Sequence, residues 1–279
     1  MNVAIVGLGL IGGSIAKALK KYTPEHSVWA IESDEATASK ALAEGAIDKT
    51  VSASQLRFAD LTVVALHPEA TVEFLESNSG AFAAGNTVID VCGVKKEIVS
   101  RVSRLFGKGV NYVGCHPMAG KEYSGYDYSE ADLFRSASFI ITVLPDTNEA
   151  AVELLKNLAA RLGFKESVVC SPEKHDGIIA FSSQLAHVVS NCYIKSPTLD
   201  SAKGFSAGSF QDLTRVARMN AAMWTELFLM NSEALCFEID TLINNMLAVR
   251  RATAAGDAQK LYALLQEGSR LKTDCAIKE

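Results

Sequence analysis

The sequence predicts an α/β protein: a doubly wound, mostly parallel sheet followed by an all-helical segment. Three observations carry that expectation. Short β-branched runs alternate with helical patterns from the first residues to about residue 170. A glycine-rich turn joins the first of these runs to the first helical pattern. From Ser171-Pro172 onward the β-rich runs stop and helical patterns dominate. Strands alternating with helices imply right-handed crossovers and parallel pairing. The domain boundary is therefore placed at 171, giving an α/β domain over 1–171 and a helical domain over 172–279.

Taken in order, the run at 3–6 leads through the glycines into a helix over 11–21. The runs at 27–31, 61–66 and 87–91 are each followed by a helical pattern, over 35–44, 68–76 and 96–105. The runs at 110–115, 139–143 and 167–170 extend the same sheet in mixed direction, with a helix over 149–162 between the last two. The run Val110-Asn111-Tyr112-Val113 leads to Gly114-Cys115-His116-Pro117. Pro117 biases His116 toward extended backbone, so the imidazole is expected where a strand has just ended. In an open parallel sheet, ligands bind outside the carboxyl ends of the strands. A histidine there can take a proton while a nicotinamide takes a hydride.

In the helical part, the longest charge-free interval is 177–194, and it contains Ser182, Ser183, Gln184, His187, Ser190 and Asn191. Those groups would be costly in lipid, so the interval reads as a central buried helix and not a membrane span. His175, Ile179, Ser183 and His187 fall at four-residue intervals and form one slowly drifting helix face. His175 and His187 lie roughly 18 Å apart along such a helix, too far to chelate one metal ion. The segment 223–249 is apolar over too wide a stripe for a helix lying on one small domain. A second copy of the chain, making a homodimer, would cover it.

The bulk numbers agree with a soluble two-domain chain: 279 residues, 48% hydrophobic, 21% charged. A formal net charge of −5 argues against a dedicated binder of nucleic acid or anionic membrane. The six cysteines are scattered without a Cys-x-x-Cys pair, which suits reduced thiols and offers no zinc pattern. The first strand starts at the N-terminus, so no signal peptide is expected and a cytoplasmic location follows.

The turn Gly7-Leu8-Gly9-Leu10-Ile11-Gly12-Gly13-Ser14 follows a strand and opens a helix, the context that a Rossmann-type dinucleotide loop requires. Gly7 permits the tight turn, Gly9 lets the backbone approach a pyrophosphate, and Gly12 allows close packing. With Leu8, Leu10 and Ile11, these residues form the expected cofactor cradle at a helix N-terminus. Glu32 ends the second strand twenty residues after Gly12, where a carboxylate accepts from the adenosine ribose and repels a 2′-phosphate. Neither arginine nor lysine occurs between Lys21 and Lys40. The expected cofactor is NAD.

Several motifs then coincide: the glycine loop, Asp90-Val91-Cys92-Gly93-Val94-Lys95, Gly114 to Glu122, Ser183-Gln184-Leu185-Ala186-His187, and Phe210-Gln211-Asp212-Leu213-Thr214-Arg215 followed by Trp224. In this order and spacing they resemble the prephenate/arogenate dehydrogenase family of tyrosine biosynthesis, along nearly the whole chain. The resemblance implies oxidative decarboxylation of prephenate or arogenate, with hydride passing to NAD. It implies that His116 accepts the proton of the substrate 4-hydroxyl, and an ordinary imidazole pKa near 6.5 would leave it neutral for that task. By the same resemblance Ser183 and His187 face the substrate, His175 lies near the cofactor end, and Arg215 clamps a substrate carboxylate. Gly208 and Asp212 match positions that reach a neighbouring subunit's site. Trp224 walls the pocket or joins the core, and Glu122 resembles an acid at the site mouth. One position departs from the family. A serine that often orients the histidine and touches the nicotinamide side is Gly93 here, so water, Cys92 or backbone must substitute.

Two other readings compete. A β-hydroxyacid-type dehydrogenase shares the loop and the helical tail, but it uses a lysine on the interdomain helix, and 177–194 has none. A nucleotide-sensing regulator without chemistry would have no reason to combine His116, His187 and Arg215.

Overall fold

Eight strands form a single sheet in the computed structural model, which describes residues 1–275 apart from 122 and 206. They are β1 (Asn2–Val6), β2 (Ser27–Ile31), β3 (Lys49–Thr50), β4 (Leu61–Val64), β5 (Thr87–Asp90), β6 (Asn111–Pro117), β7 (Ser138–Thr142) and β8 (Glu166–Cys170). Their spatial order is β3-β2-β1-β4-β5-β6-β7-β8. All pairs are parallel except β6–β7. Between them lie α1 (Leu10–Tyr22), α2 (Glu35–Ala43), α3 (Pro68–Asn78), α4 (Lys96–Val102) and α5 (Glu149–Arg161). After leaving β1 the chain builds β2 and β3 on one side, then returns to build β4 on the other. The crevice above β1 and β4 is the switch point where such sheets bind ligands.

Alternate residues of one strand serve opposite layers, as a period of two requires. Val3 and Ile5 join one apolar cluster with Ile15, Leu19 and Leu155, while Ala4 and Val6 join another with Val72, Leu75 and Ile98. A parallel strand covered on both faces needs such a continuous apolar run. That is why every predicted strand appears within two residues of its expected limits. The two-residue β3 carries no β-branched run and was not expected.

The expected end of the strand at His116 needs correction. The ladder with β5 stops at Gly114, opposite Asp90. The antiparallel β7 then pairs His116 with Ile140 and Pro117 with Phe139, so β6 runs on past the histidine. Proline is tolerated in a strand only where its missing donor is not needed. His116 therefore stands beyond the carboxyl end of β5 yet on a paired strand, which is a stiffer mount than a loop.

The helices after β8 are α6 (Pro172–Ile179), α7 (Leu185–Tyr193), α8 (Gly208–Thr214), α9 (Ala221–Met230), α10 (Ser232–Ala254) and α11 (Ala258–Asp274). Residues Ala180–Gln184 form a π turn that joins α6 to α7. The interval 177–194 is buried on one side only. Ile179, Ala180, Gln184 and Ser190 are buried, but Ile178 and Phe181 are more than half exposed. By contacts the chain divides into two compact units, Met1–Ser232 and the residues from Glu233 onward. Helices α6 to α9 belong to the first unit: α6 packs on α4, and α9 on α3. In the second unit α10 exposes Phe237, Ile243 and Met246, and α11 exposes Tyr262, Leu265 and Leu271. Among the described residues no helix is long and apolar enough to cross a membrane.

Candidate active site

The glycine turn is built as a cradle. Gly7 has φ +87°, and a Cβ there would lie 2.9 Å from the Ala65 carbonyl oxygen. A Cβ on Gly12 would stand 2.0 Å from the Gly7 carbonyl oxygen, so α1 can approach the turn only without a side chain. Gly9 is the opposite case, because a Cβ there meets nothing within 4 Å. It caps α1 without a side-chain hydrogen bond, leaving the N–H groups of the first turn available to an anion. Leu8 and Gly12 are buried, Leu10 and Ile11 half-buried. Glu32 is half-buried at the end of β2. Its Oε2 accepts from the Leu8 N–H at 2.7 Å and its Oε1 from the Asp34 N–H at 2.9 Å. The carboxylate is thus fixed beside the turn, and the donor set suits a dinucleotide.

At the end of β5, Asp90 and Lys95 are fully buried and form an ion pair. Tyr112 donates to Asp90 Oδ2 at 2.7 Å, and the Cys92 N–H donates to Oδ1 at 3.0 Å. A buried charge needs such partners, since leaving it unpaired costs several kcal/mol. The pair curls the chain from 90 to 95 and presents Gly93 toward the histidine. A Cβ on Gly93 would sit 3.9 Å from both Cε1 and Nε2 of His116. Cys92 does not replace the missing hydroxyl. Its Sγ lies against Thr71 Oγ1 (3.3 Å) and the Leu66 carbonyl, and burial pushes the thiol up to about 12.

His116 is half-buried. Burial, then His175, then the Lys95 ammonium, hold its pKa well below 6.5. The ordinary value expected from sequence is thereby corrected downward, and the ring is neutral at neutral pH. Its Nδ1 lies 2.9 Å from His175 Nε2. His175 is buried on α6, and its Nδ1 lies 2.6 Å from Asp176 Oδ1. Both its ring nitrogens are therefore engaged within the protein.

The π turn changes the register of the helix. In an unbroken α-helix the twelve residues from His175 to His187 would leave the two side chains about 120° apart. A π turn absorbs one extra residue, so the effective count is eleven and the offset falls to about 20°. The slowly drifting face becomes nearly straight. Gln184, buried at the end of the turn, donates to the Leu227 carbonyl at 3.0 Å. It also accepts from Asn231 Nδ2 at 2.8 Å, and the same amide nitrogen donates to the Asp176 carbonyl at 2.9 Å.

His187 is half-buried, and its Nδ1 donates to the Ser183 carbonyl at 3.0 Å. Its ring lies 3.8 Å from the Trp224 ring, centroid to centroid. Burial lowers the His187 pKa, and the Arg215 guanidinium pushes the same way. One turn beyond Trp224 on α9, Leu227 approaches Gly93. Helix α9 thus links the His187–Trp224–Arg215 group to Gly93 and His116. Gly208 and Asp212 are exposed on α8 and are not drawn into this cluster. Glu122 lies outside the described residues. Asp90, Lys95 and Gln184 stood within the quoted motifs without a role of their own, and Asp176, Leu227 and Asn231 were given none. For Asp176 the signal was its position beside His175.

Residues 15–168 match the family model "Prephenate dehydrogenase, nucleotide-binding domain", and residues 171–267 match "Prephenate dehydrogenase, dimerization domain". The chain belongs to the prephenate dehydrogenase family. The prephenate dehydrogenase of Bacillus subtilis is 32% identical over 94% of this chain and 72% of that protein. The solved prephenate dehydrogenase from A. aeolicus, in complex with hydroxyphenyl propionate and NAD+, is 27% identical. It covers 98% of both chains with a TM-score of 0.87. The arogenate dehydrogenase of Synechocystis is 26% identical, covering 98% of this chain and all of that one, with a TM-score of 0.83. Membership in the prephenate dehydrogenase family gives the glycine cradle and the half-buried histidine a common purpose.

Proposed function

We propose that this chain oxidatively decarboxylates prephenate or arogenate with NAD, using His116 as the base for the 4-hydroxyl proton. The observation that carries this reading is a neutral, half-buried imidazole at the same rim of the sheet as a dinucleotide cradle. Three bonds break in the substrate. The C4–H pair leaves as hydride, the O–H proton goes to His116, and the C1–carboxylate pair enters the ring as CO2 departs. NAD, when bound, supplies the acceptor for that hydride. The proton held on His116 returns to the phenolate oxygen that decarboxylation creates, so charge and protons balance. Aromatisation drives the reaction, and the protein's share is orientation and proton handling.

Gly7, Leu8, Gly9, Leu10, Ile11 and Gly12 hold the pyrophosphate, Glu32 the ribose, and Gly93 borders the nicotinamide side. Arg215 clamps a substrate carboxylate through two parallel hydrogen bonds. Ser183, His187 and Trp224 line the pocket. Residues 1–171 serve as the nucleotide domain and 172–279 as the substrate and dimerisation domain, in the cytoplasm. Initial rates with prephenate and arogenate, each against NAD and NADP, test the reading. Glu32 is expected to give NAD the higher kcat/KM with either substrate. Absence of turnover with both substrates would refute it.

The second chain in the working enzyme is a copy of the first. The exposed apolar side chains to be covered include Leu229 on α9 and Phe237, Ile243 and Met246 on α10. Gly208 and Asp212, exposed on α8, reach the neighbour's pocket. Sedimentation at micromolar concentration is expected to show a dimer, and a compact monomer would remove both assignments.

A further inference from the structure

Resting on the reading of His116 as the base, we infer that His175 and Asp176 are its positioning residues, fixing which ring nitrogen of His116 carries the resting proton. The donor sequence follows from Asp176. Its Oδ1 accepts from the Lys95 N–H at 2.8 Å and its Oδ2 from the Lys96 N–H at 2.8 Å. Both oxygens are thus acceptors, so His175 Nδ1, at 2.6 Å from Oδ1, donates. That leaves Nε2 of a neutral His175 as a lone pair. His116 Nδ1, 2.9 Å away, donates to it. The remaining nitrogen of His116, Nε2, is bare, and together with Cε1 it forms the edge of the ring that faces Gly93. A base with its lone pair presented and its proton stored behind it results, as in other carboxylate–histidine pairs.

The mount is stiff at each link. His175 and Asp176 are both 2% exposed, and the Asp176 carbonyl is held by Asn231. Lys95 is fixed at two points, its backbone on Asp176 and its ammonium on Asp90. The glycine at 93 then makes chemical sense. A side chain there would approach His116 at Cε1 and Nε2, on the side that must receive the substrate proton. Orientation from the Nδ1 side leaves that nitrogen unobstructed, so the serine is dispensable. When His116 takes the proton at Nε2, the positive charge is opposed by Asp176 through the neutral ring between them.

Two measurements test this. In protein labelled with 15N-histidine, the His116 signals, assigned by their loss in His116→Asn, are expected to show Nδ1–H with a bare Nε2. A wild-type protein with Nε2–H would overturn the inference whatever the variants do. His175→Leu and Asp176→Asn are expected to shift His116 toward Nε2–H and lower kcat by about 100-fold or more, with KM and NAD affinity within about threefold. His175→Gln retains an acceptor for Nδ1–H and should recover kcat to within about tenfold of wild type. Equal losses in the Leu and Gln variants with an unchanged His116 tautomer would mean that His175 only fills space, and the inference would fail. The base itself is judged separately. If His116→Asn keeps its activity, the underlying reading falls. If it collapses while His175→Leu does not, only the positioning role falls.

Discussion

Replacing His116 by asparagine is expected to lower kcat by about 10²- to 10⁴-fold, equivalent to roughly 3–5 kcal/mol of barrier, with little change in substrate affinity. The amide fills the same space but cannot take a proton. The pH profile carries the same information with a definite sign. The base works when neutral, and its pKa lies well below 6.5 because burial, His175 and Lys95 oppose the cation. Activity is therefore expected to be flat through neutrality and to fall only as pH drops through that lowered pKa. The acid limb should vanish in the asparagine variant. Arg215→Ala should act differently. A carboxylate clamp binds ground and transition states alike, so KM rises while kcat holds. An asparagine variant retaining near-normal kcat and the same acid limb would transfer the role to His187.

The cradle gives the second large effect. Gly12→Ala places a methyl group 2.0 Å from the Gly7 carbonyl oxygen, a backbone atom that cannot move without opening the turn. NAD affinity is expected to fall about 100-fold or more, and Tm to fall with it. Gly9→Ala makes the informative comparison. Its Cβ meets nothing within 4 Å of the protein, so the fold should keep its Tm. Affinity should nonetheless drop, because the methyl stands where the pyrophosphate approaches. Dinucleotide titration beside thermal unfolding separates the two cases. An unaltered affinity in Gly9→Ala would move the phosphates elsewhere.

Much of this was legible in the sequence, for identifiable reasons. Strands buried on both faces must be continuous apolar runs, and the glycine turn has few substitutes, so β1, β2, β4, β5 and the cradle were readable. The extension of β6 through Pro117 was not, because it depends on β7 arriving antiparallel, a choice made by tertiary pairing. The buried roles of Asp90, Lys95 and Asp176 were also hidden. A charged residue reads as surface until its buried partner is known, and the partner of Asp176 is backbone some eighty residues away in sequence. The π turn is hidden for a third reason: a sequence read at 3.6 residues per turn contains no mark for the place where the count changes.

That turn has a consequence for how such a helix tolerates changes in length. Deleting one residue from Ala180–Gln184 would close the wide turn into ordinary α-helix, and His175 and His187 would then be separated by eleven residues. Their angular offset would stay near 20°, the value the bulge already sets. The same deletion made within α7, between Leu185 and His187, would keep the bulge and swing His187 by about 100°. Length variation of one residue is thus neutral for the relative facing of the two histidines at one place in the helix and disruptive a few residues later.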